Sequence, residues 1–389
     1  MNFSGGHAIN GIRAAKEAGF YLIWGRELRF QKKARILRDS LKALRNYQKA
    51  RIFLDNLPSY LWIEPTNRCN LRCIMCPTGA GKVTFERGFM DLGLYRKILD
   101  DIHPYVSTVI LAMSGESLLH PDFSSLVRYA EDRQVKVVLN TNATLLDRGK
   151  AQELLDSGLS YVSFAFDGFT KAGYERARRG ADFEATLENI LGFLMMKKTR
   201  GKKKPHTVLS MLDLRLESPS AEEKRVFLRR FRGLVDDVQM REVNSSGCLF
   251  KGSGDFSYKV FSRRIPCGRL WNTLSIAWNG DVVPCIYNMN HDYVVGNVGT
   301  DSLAAVWNSP KMIALRRAMI EGRPLDISPL CDNCTICGTS KILGIPAGLR
   351  ASLSDAATNF FGYGFEKRAV GLANLLIGGN FASKRMRAS

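Results

Sequence analysis

From Leu61 onward, short apolar runs alternate with amphipathic stretches. The runs Leu61–Glu64, Thr108–Ala112, Lys136–Asn140, Tyr161–Phe166, Thr207–Met211 and Val238–Val243 predict six strands. Between them, near 93–102, 122–132, 147–157, 183–198 and 220–234, apolar residues recur at helical spacing. Strand–helix alternation predicts an α/β fold with a parallel sheet, and six units predict a partial (β/α)6 barrel of the TIM type. A complete barrel needs eight strands, for which 61–250 is too short. Upstream, 9–55 reads as helix: Arg or Lys stands at 26, 29, 32, 33, 35, 38, 42, 45 and 49, with Leu28, Ile36, Leu37, Leu41, Leu44 and Tyr47 between. After about residue 260 the alternation stops. Thr273–Trp278, Asn279-Gly280 and Asp281–Cys285 predict a hairpin with a type I′ turn, followed by a short helix near 302–321 and a cysteine-rich run at 331–337. The chain thus divides into a basic amphipathic helical extension (1–56), a partial barrel (57–255), a small C-terminal α+β domain (260–340) and an amphipathic tail (341–389).

The 389 residues are 45% hydrophobic and 24% charged, enough for a barrel-sized core and a smaller domain. No apolar run approaches the roughly 18–20 residues of a transmembrane helix, and the first twenty residues lack the apolar segment of a signal peptide. The expected location is therefore cytoplasmic. Nine cysteines, an odd number in clustered spacings, fit reduced metal-holding thiols better than a disulfide framework. The net charge of +19 is uneven: residues 1–51 hold twelve Lys/Arg against three acids, and a second block runs from Lys197 to Lys204. Such blocks are either solvated faces or attractors of phosphate, in nucleic acid or an anionic membrane. Aromatics are not interleaved with the basic runs as stacking platforms would be, which disfavours nucleic acid. A peripheral contact of 1–51 with the anionic inner membrane surface stays open.

Cys69, Cys73 and Cys76 lie directly after the first strand, in Cys-x3-Cys-x2-Cys spacing. A closed zinc site or an ordinary cubane cluster wants four thiolates; three leave one iron of a [4Fe-4S] cluster open for chemistry. This motif resembles the signature of the radical S-adenosylmethionine (radical SAM) superfamily. The resemblance implies that S-adenosylmethionine chelates the open iron and is cleaved reductively to a 5′-deoxyadenosyl radical that takes hydrogen from an unactivated carbon. It also implies site residues. Met75 packs near the adenine. Gly115 and Glu116, in Ser114-Gly115-Glu116-Ser117, resemble a Gly-Gly-Glu-Pro run whose backbone meets the methionyl amino group. Asn142 stands in a Thr-Asn-Gly-like element, and Ser163 shares a strand face with Ala165, where relatives carry a carboxylate-binding serine. Arg179 offers a guanidinium to a carboxylate. Ser114, Ser117, Ala143 and Ala165 depart from the family pattern. His120, followed by Pro121, reads as a loop or capping residue.

Cys267, Cys285, Cys331 and Cys334, with Cys337 close behind, make a second set that by spacing suits either zinc or a [4Fe-4S] cluster. The segment Cys267–Trp271 through Trp278-Asn279-Gly280-Asp281 to Cys285 resembles the auxiliary-cluster domain called SPASM, or its shorter twitch form. The resemblance implies one auxiliary [4Fe-4S] cluster held by the first four cysteines, with Cys337 an alternate ligand or a free thiol. Cys248 reads as a buried, inert thiol. The expectation is a radical SAM oxidoreductase or maturase in which the auxiliary cluster takes up the substrate electron. Its substrate would be a sugar, a peptide or a lipid-linked molecule, and its electron donor a flavodoxin or ferredoxin. Asp213, Glu217 and Glu242, near predicted strand ends, are the candidate bases. The rival readings are a nucleic-acid-modifying member of the superfamily and a non-catalytic iron-sulfur protein.

Overall fold

The computed structural model describes residues 30–214, 216–242, 266–331, 334 and 349. Helix α1 (Phe30–Gln48) precedes strand β1 (Tyr60–Ile63) and the short strand β2 (Arg72–Cys73). Then come α2 (Leu92–Ile102), β3 (Thr108–Leu111), α3 (Phe123–Asp132), β4 (Lys136–Thr141), α4 (Arg148–Asp156) and β5 (Tyr161–Ala165). Helix α5 (Lys171–Ala177), β6 (Arg178–Arg179), α6 (Phe183–Thr199), β7 (His206–Asp213), α7 (Ala221–Arg229) and β8 (Asp237–Glu242) complete the alternating part. All six expected strands are present. Their order is β1-β3-β4-β5-β7-β8 and every neighbouring pair is parallel.

Side-chain alternation sorts the sheet into two faces. Leu61, Ile63, Val109, Leu111, Val137, Leu139, Val162, Phe164, Leu209 and Met211 join the main core with the helices. Tyr60, Ile110, Ala112, Val138, Tyr161 and Val208 form a separate cluster against Trp62, on the inner face. Burial on both sides explains why these strands read as unbroken apolar runs. Helix starts are set locally: Asp91, Asp147, Thr170, Asp182 and Ser220 each accept backbone N–H bonds at an N-terminus.

The C-terminal segment is not a separate sheet. Strand β9 (Thr273–Ile276) pairs parallel with β1, in the register Tyr60↔Thr273 to Ile63↔Ile276. Strands β10 (Asp281–Val283) and β11 (Gly296–Asn297) extend the same sheet antiparallel. The hairpin exists, but its turn is not type I′. Only Gly280 takes a positive φ, +87°, and its N–H closes a turn on the Ala277 carbonyl. That is the longer hairpin loop in which a left-handed glycine follows an ordinary turn. The expected helix near 302–321 is two helices, α8 (Leu303–Trp307) and α9 (Pro310–Ile320), because Ser309 caps a new start with Pro310 at the first position.

Of the helical expectation for 9–55, α1 lies among the described residues and the stretch 9–29 outside them. Its inner face packs on the rest of the chain. Tyr47 donates to the Pro266 carbonyl at 3.0 Å and meets Trp271 edge-on, while Asn46 donates to Asn56 at 2.8 Å. Four of the six cations in the basic block at 197–204 are held in ion pairs with three carboxylates. Lys197 pairs with Asp236 (2.6 Å), Arg200 and Lys202 with Asp156 (2.7 and 3.2 Å), and Lys204 with Glu131 (3.3 Å). That halves the block's net charge and weakens its attraction for phosphate. Among the described residues no helix is long and apolar enough to cross a membrane.

Candidate functional site

The cysteine loop leaves the C-terminal end of β1 and is pinned from three sides. Residues 86–90 return beneath it: Thr66 donates to the Gly88 carbonyl (2.6 Å), Asn67 to that of Glu86 (2.6 Å), and the Met90 N–H to that of Pro65 (2.8 Å). The loop after β3 lies directly on top. A Cβ at Gly115 would fall 2.2 Å from the Thr66 carbonyl oxygen, so only glycine fits, and the Glu116 N–H donates to Arg68 at 2.8 Å. Third, β2 pairs antiparallel with β6, placing Cys73 opposite Arg178 and Arg72 opposite Arg179. Gly79 closes the loop from behind, where a Cβ would lie 2.5 Å from the Cys73 nitrogen.

The three thiols sit within each other's fields. Burial pushes the Cys73 thiol up to about 12, against the opposing pull of Arg178 and with the neighbouring Cys76 and Cys69 adding to it. The same cause raises Cys69, which is more open to solvent, to about 11. A bound iron cluster reverses that preference, since coordinating thiols are deprotonated outright. Arg178 supplies a further mark of fit. Its guanidinium is buried, its Nε has no hydrogen-bond partner among the described residues, and Nη1 stands 3.9 Å from the Cys73 sulfur. Nη2 pairs with Asp167 at 2.6 Å. Three coupled thiols and an under-used buried cation suit an anionic thiolate cluster. Among the described residues no three His, Cys, Asp or Glu side chains converge on a single-ion site.

The other site residues fall as follows. Met75 is buried in an apolar cluster with Leu71, Ala177 and Leu212, beside the cysteines. The Glu116 carboxylate is used within the chain: it accepts from the Asn142 N–H (2.7 Å), the Thr141 hydroxyl (2.8 Å) and the Leu118 N–H (3.1 Å). Asn142 donates to Asn70 at 3.0 Å and accepts from the Thr144 N–H and hydroxyl, tying the end of β4 to the cysteine loop. Ser163 is buried on the inner face, as the β5 register with β4 requires. Alternation on β6 turns Arg178 inward to Cys73 and leaves Arg179 exposed beside the cysteine ladder, so the guanidinium that faces the cysteines is that of Arg178, a residue the sequence did not single out. His120 is stapled between the Met90 carbonyl (2.8 Å) and the Asp122 N–H (3.1 Å), the capping role expected. Glu217 accepts from the Phe169 N–H at 2.6 Å and from Thr170, the cap of α5, a structural use that sets it apart from a base. Asp213 ends β7 and Glu242 ends β8.

Three of the four departures have a structural setting. The Ser114 N–H donates to Glu64 at 3.1 Å, and its hydroxyl donates to the same Oε1. Ser117 donates to the Leu111 carbonyl at 2.7 Å. Ala143 has φ +62°, the left-handed conformation that glycine adopts without strain. Glu64 itself was missed by sequence reading. It is fully buried at the end of β1, and its Oε2 receives the Trp278 N–H at 3.4 Å from the hairpin. Burial raises its pKa despite those donors. The only signal was an acid at the end of an apolar run.

In the second set, Cys267 opens the turn Gly268–Trp271 and Cys285 lies two residues beyond β10. The Cys285 thiol, pushed up to about 11 by burial, feels Arg269 and the charges of Cys267 and Cys334, so these three are neighbours. The Cys334 N–H meets the Cys331 carbonyl at 3.5 Å. Cys337 and Cys248 lie outside the described residues. Arg316, buried against Trp307, donates to the carbonyls of Leu270 (2.9 Å), Ile52 (3.1 Å) and Trp307 (2.8 Å), knitting this segment to the linker before β1.

The triple-cysteine loop lies at the C-terminal end of the first strand of an open parallel α/β sheet, the end where TIM-like folds place their active sites. Residues 63–194 match the radical SAM superfamily, and residues 267–337 match SPASM, an iron-sulfur cluster-binding domain. The chain is a radical SAM enzyme with a C-terminal SPASM domain. Its cofactors are S-adenosylmethionine, the [4Fe-4S] cluster that binds it, and auxiliary iron-sulfur.

The Fe-coproporphyrin III synthase of Methanosarcina barkeri is 34% identical over 137 residues, which span 35% of this chain and only 34% of that protein. The tungsten-containing aldehyde ferredoxin oxidoreductase cofactor-modifying protein of Pyrococcus furiosus is 27% identical, over 65% of this chain and 81% of its own. The S-adenosyl-L-methionine-dependent 2-deoxy-scyllo-inosamine dehydrogenase of Niallia circulans is 22% identical, over 72% and 94%. Among solved structures, native anSMEcpe with bound AdoMet matches with TM-score 0.52 at 15% identity, covering 82% of this chain and 99% of that one. Streptococcus suis SuiB bound to S-adenosylmethionine gives 0.53 at 15%, covering 71% and 70%. At such identities the likeness shows the fold.

Proposed function

We propose that the protein oxidises a small or chain-tethered substrate by hydrogen abstraction, with the auxiliary cluster taking up the electron left behind. One observation carries the reading. Strand β1 delivers the Cys69–Cys76 loop at its end and pairs, residue for residue, with β9 of the auxiliary segment. The two cysteine sets thereby flank adjacent strands of one sheet, the first beyond the C-terminal end of β1, and Cys267 and Cys285 toward the opposite end, before β9 and after β10. When bound at the first set, the cluster and S-adenosylmethionine supply a 5′-deoxyadenosyl radical that removes a hydrogen atom. The chain's own residues shape the chamber. Trp62, Asn140, Ala165 and Ser210 occupy the inner face toward the strand ends and stay partly open to solvent. An aromatic plane, an amide and a hydroxyl on that face suit a polar substrate such as a sugar, a peptide or the head of a lipid-linked molecule.

The exposed pair Arg72 and Arg179 stands directly cross-strand on the outer side of the cysteine ladder. Like charges so placed repel, and an acidic flavodoxin or ferredoxin docking there relieves that repulsion while delivering its electron beside the cluster. Arg38, Leu41 and Arg45 share the exposed face of α1 and support attachment to an anionic membrane surface from the cytoplasm.

Anaerobic reconstitution, dithionite and S-adenosylmethionine should give 5′-deoxyadenosine; well-loaded protein that makes none would sink the enzymatic reading. Turnover with candidate substrates should leave the auxiliary cluster reduced by one electron per product. Pelleting with phosphatidylserine vesicles at low salt, lost at high salt, tests the membrane contact.

A further inference from the structure

We infer that the buried Arg178–Asp167 pair sets the reduction potential of the cluster held by Cys69, Cys73 and Cys76. Arg178 is placed by register. The two-residue ladder puts Cys73 and Arg178 side by side on its inner face, and a slip of one residue would send Arg179 there instead. A guanidinium has five N–H donors and stays charged at any working pH. Here Nη2 is taken by Asp167 at 2.6 Å, Nη1 faces the Cys73 sulfur at 3.9 Å, and Nε is buried with no partner among the described residues. The carboxylate is itself held, because its Oδ1 accepts the Leu212 N–H from β7 at 2.7 Å. The cation is therefore anchored from two strands and directed at one ligand sulfur.

Reduction adds one electron to the cluster and no proton. Cluster potentials depend on local charge and on hydrogen bonds to the sulfurs. A fixed cation within reach of a thiolate stabilises the more negative, reduced state. The adjacent carboxylate opposes it, so the two residues pull the potential in opposite directions. Arg178 is thus a positioning residue for electron entry, acting through Cys73.

The test is a dithionite redox titration of the reconstituted protein, followed by EPR, on Arg178→Gln, Arg178→Lys and Asp167→Asn. Removing the cation should lower the potential of the three-cysteine cluster by at least a tenfold change in its reduction equilibrium, 59 mV for one electron. Removing the carboxylate should raise it. Arg178→Lys, which keeps the charge and loses the fork, should fall between. The auxiliary cluster should not move in any variant, an internal control for general loosening. The inference rests on the three-cysteine site holding its cluster, and iron content with the EPR amplitude of each variant reports that separately. If Arg178→Gln loads poorly, Arg178→Lys and Asp167→Asn carry the test. Unchanged potentials in loaded protein, or shifts of the same sign for Arg178→Gln and Asp167→Asn, would overturn it.

Discussion

Glu64 joins the loop over the cysteines to the auxiliary hairpin, and its replacement should loosen both. Its Oε1 takes the N–H and hydroxyl of Ser114, and its Oε2 takes the Trp278 N–H. Glu64→Gln preserves the shape and the first acceptor but turns an amide NH2 toward the Trp278 N–H, so two donors face each other. The lost bond is long, and the expected cost is about 1–2 kcal/mol. Glu64→Ala strands three donors in a buried site. At roughly 1–3 kcal/mol for each orphaned group, less the relief of no longer burying a carboxyl, the net cost is about 3–5 kcal/mol. Ser114→Ala should cost about 1 kcal/mol alone and couple to Glu64→Gln in a double-mutant cycle by about 1 kcal/mol.

The pH dependence has a definite sign. Burial raises the folded-state pKa of Glu64 above its ordinary 4.5. Its contribution to stability is therefore full below pH 4.5 and is lost as pH rises through the folded value. Glu64→Gln removes that window, so its stability relative to wild type should improve as pH rises from 4.5. The assay is anaerobic urea unfolding at several pH values, with hydrogen exchange at the Ser114 and Trp278 amides. If Glu64→Ala stays within 0.5 kcal/mol of wild type, a value inside ordinary surface scatter, with both amides still protected, the bridging role is refuted.

Ala143→Gly should stabilise the fold by about 0.5–1 kcal/mol, because it relieves a left-handed alanine at φ +62°; thermal melting checks it. Arg316→Met should cost about 3–5 kcal/mol by leaving buried carbonyls of Leu270, Ile52 and Trp307 without a donor, read as a fall in the urea midpoint with iron content measured alongside. The Cys69/Cys73/Cys76→Ala variant should lose S-adenosylmethionine cleavage and keep about four irons at the auxiliary site. Iron analysis decides that count.

How much was legible follows physical lines. The inner barrel strands showed as apolar runs because both of their faces are buried, as Val137–Leu139 and Val162–Phe164 are, whereas the edge strand β8, with Met240 exposed, is no such run. The helices showed through apolar spacing, and the structure sets their starts with local caps such as Asp91 and Asp182. The ladder of β2 with β6 did not show, since two residues carry no period. Nor did the split at Asn308-Ser309, where a capping serine outweighs continuous helical spacing. The turn at Asn279-Gly280 was misread because the dipeptide suits more than one loop length, and the pairing of Ile276 with Val282 selects the longer one.

Covalent spacing gathered the cysteines, and the resemblance of that spacing to a known motif gave their chemistry. Three thiols within eight residues reach one cluster whatever the rest of the chain does, and the sequence by itself carried that, the strand–helix alternation and the second cysteine set. Which arginine meets the first set was beyond it. Arg178 and Arg179 are chemically identical neighbours, and only antiparallel pairing with Arg72 and Cys73 assigns one inward and one outward. Glu64 was likewise silent, because its partners lie 50 and 214 residues away. Local sequence encodes ligands that are close in the chain. The charges and hydrogen bonds that tune them come from distant segments, and the tertiary structure alone brings those together.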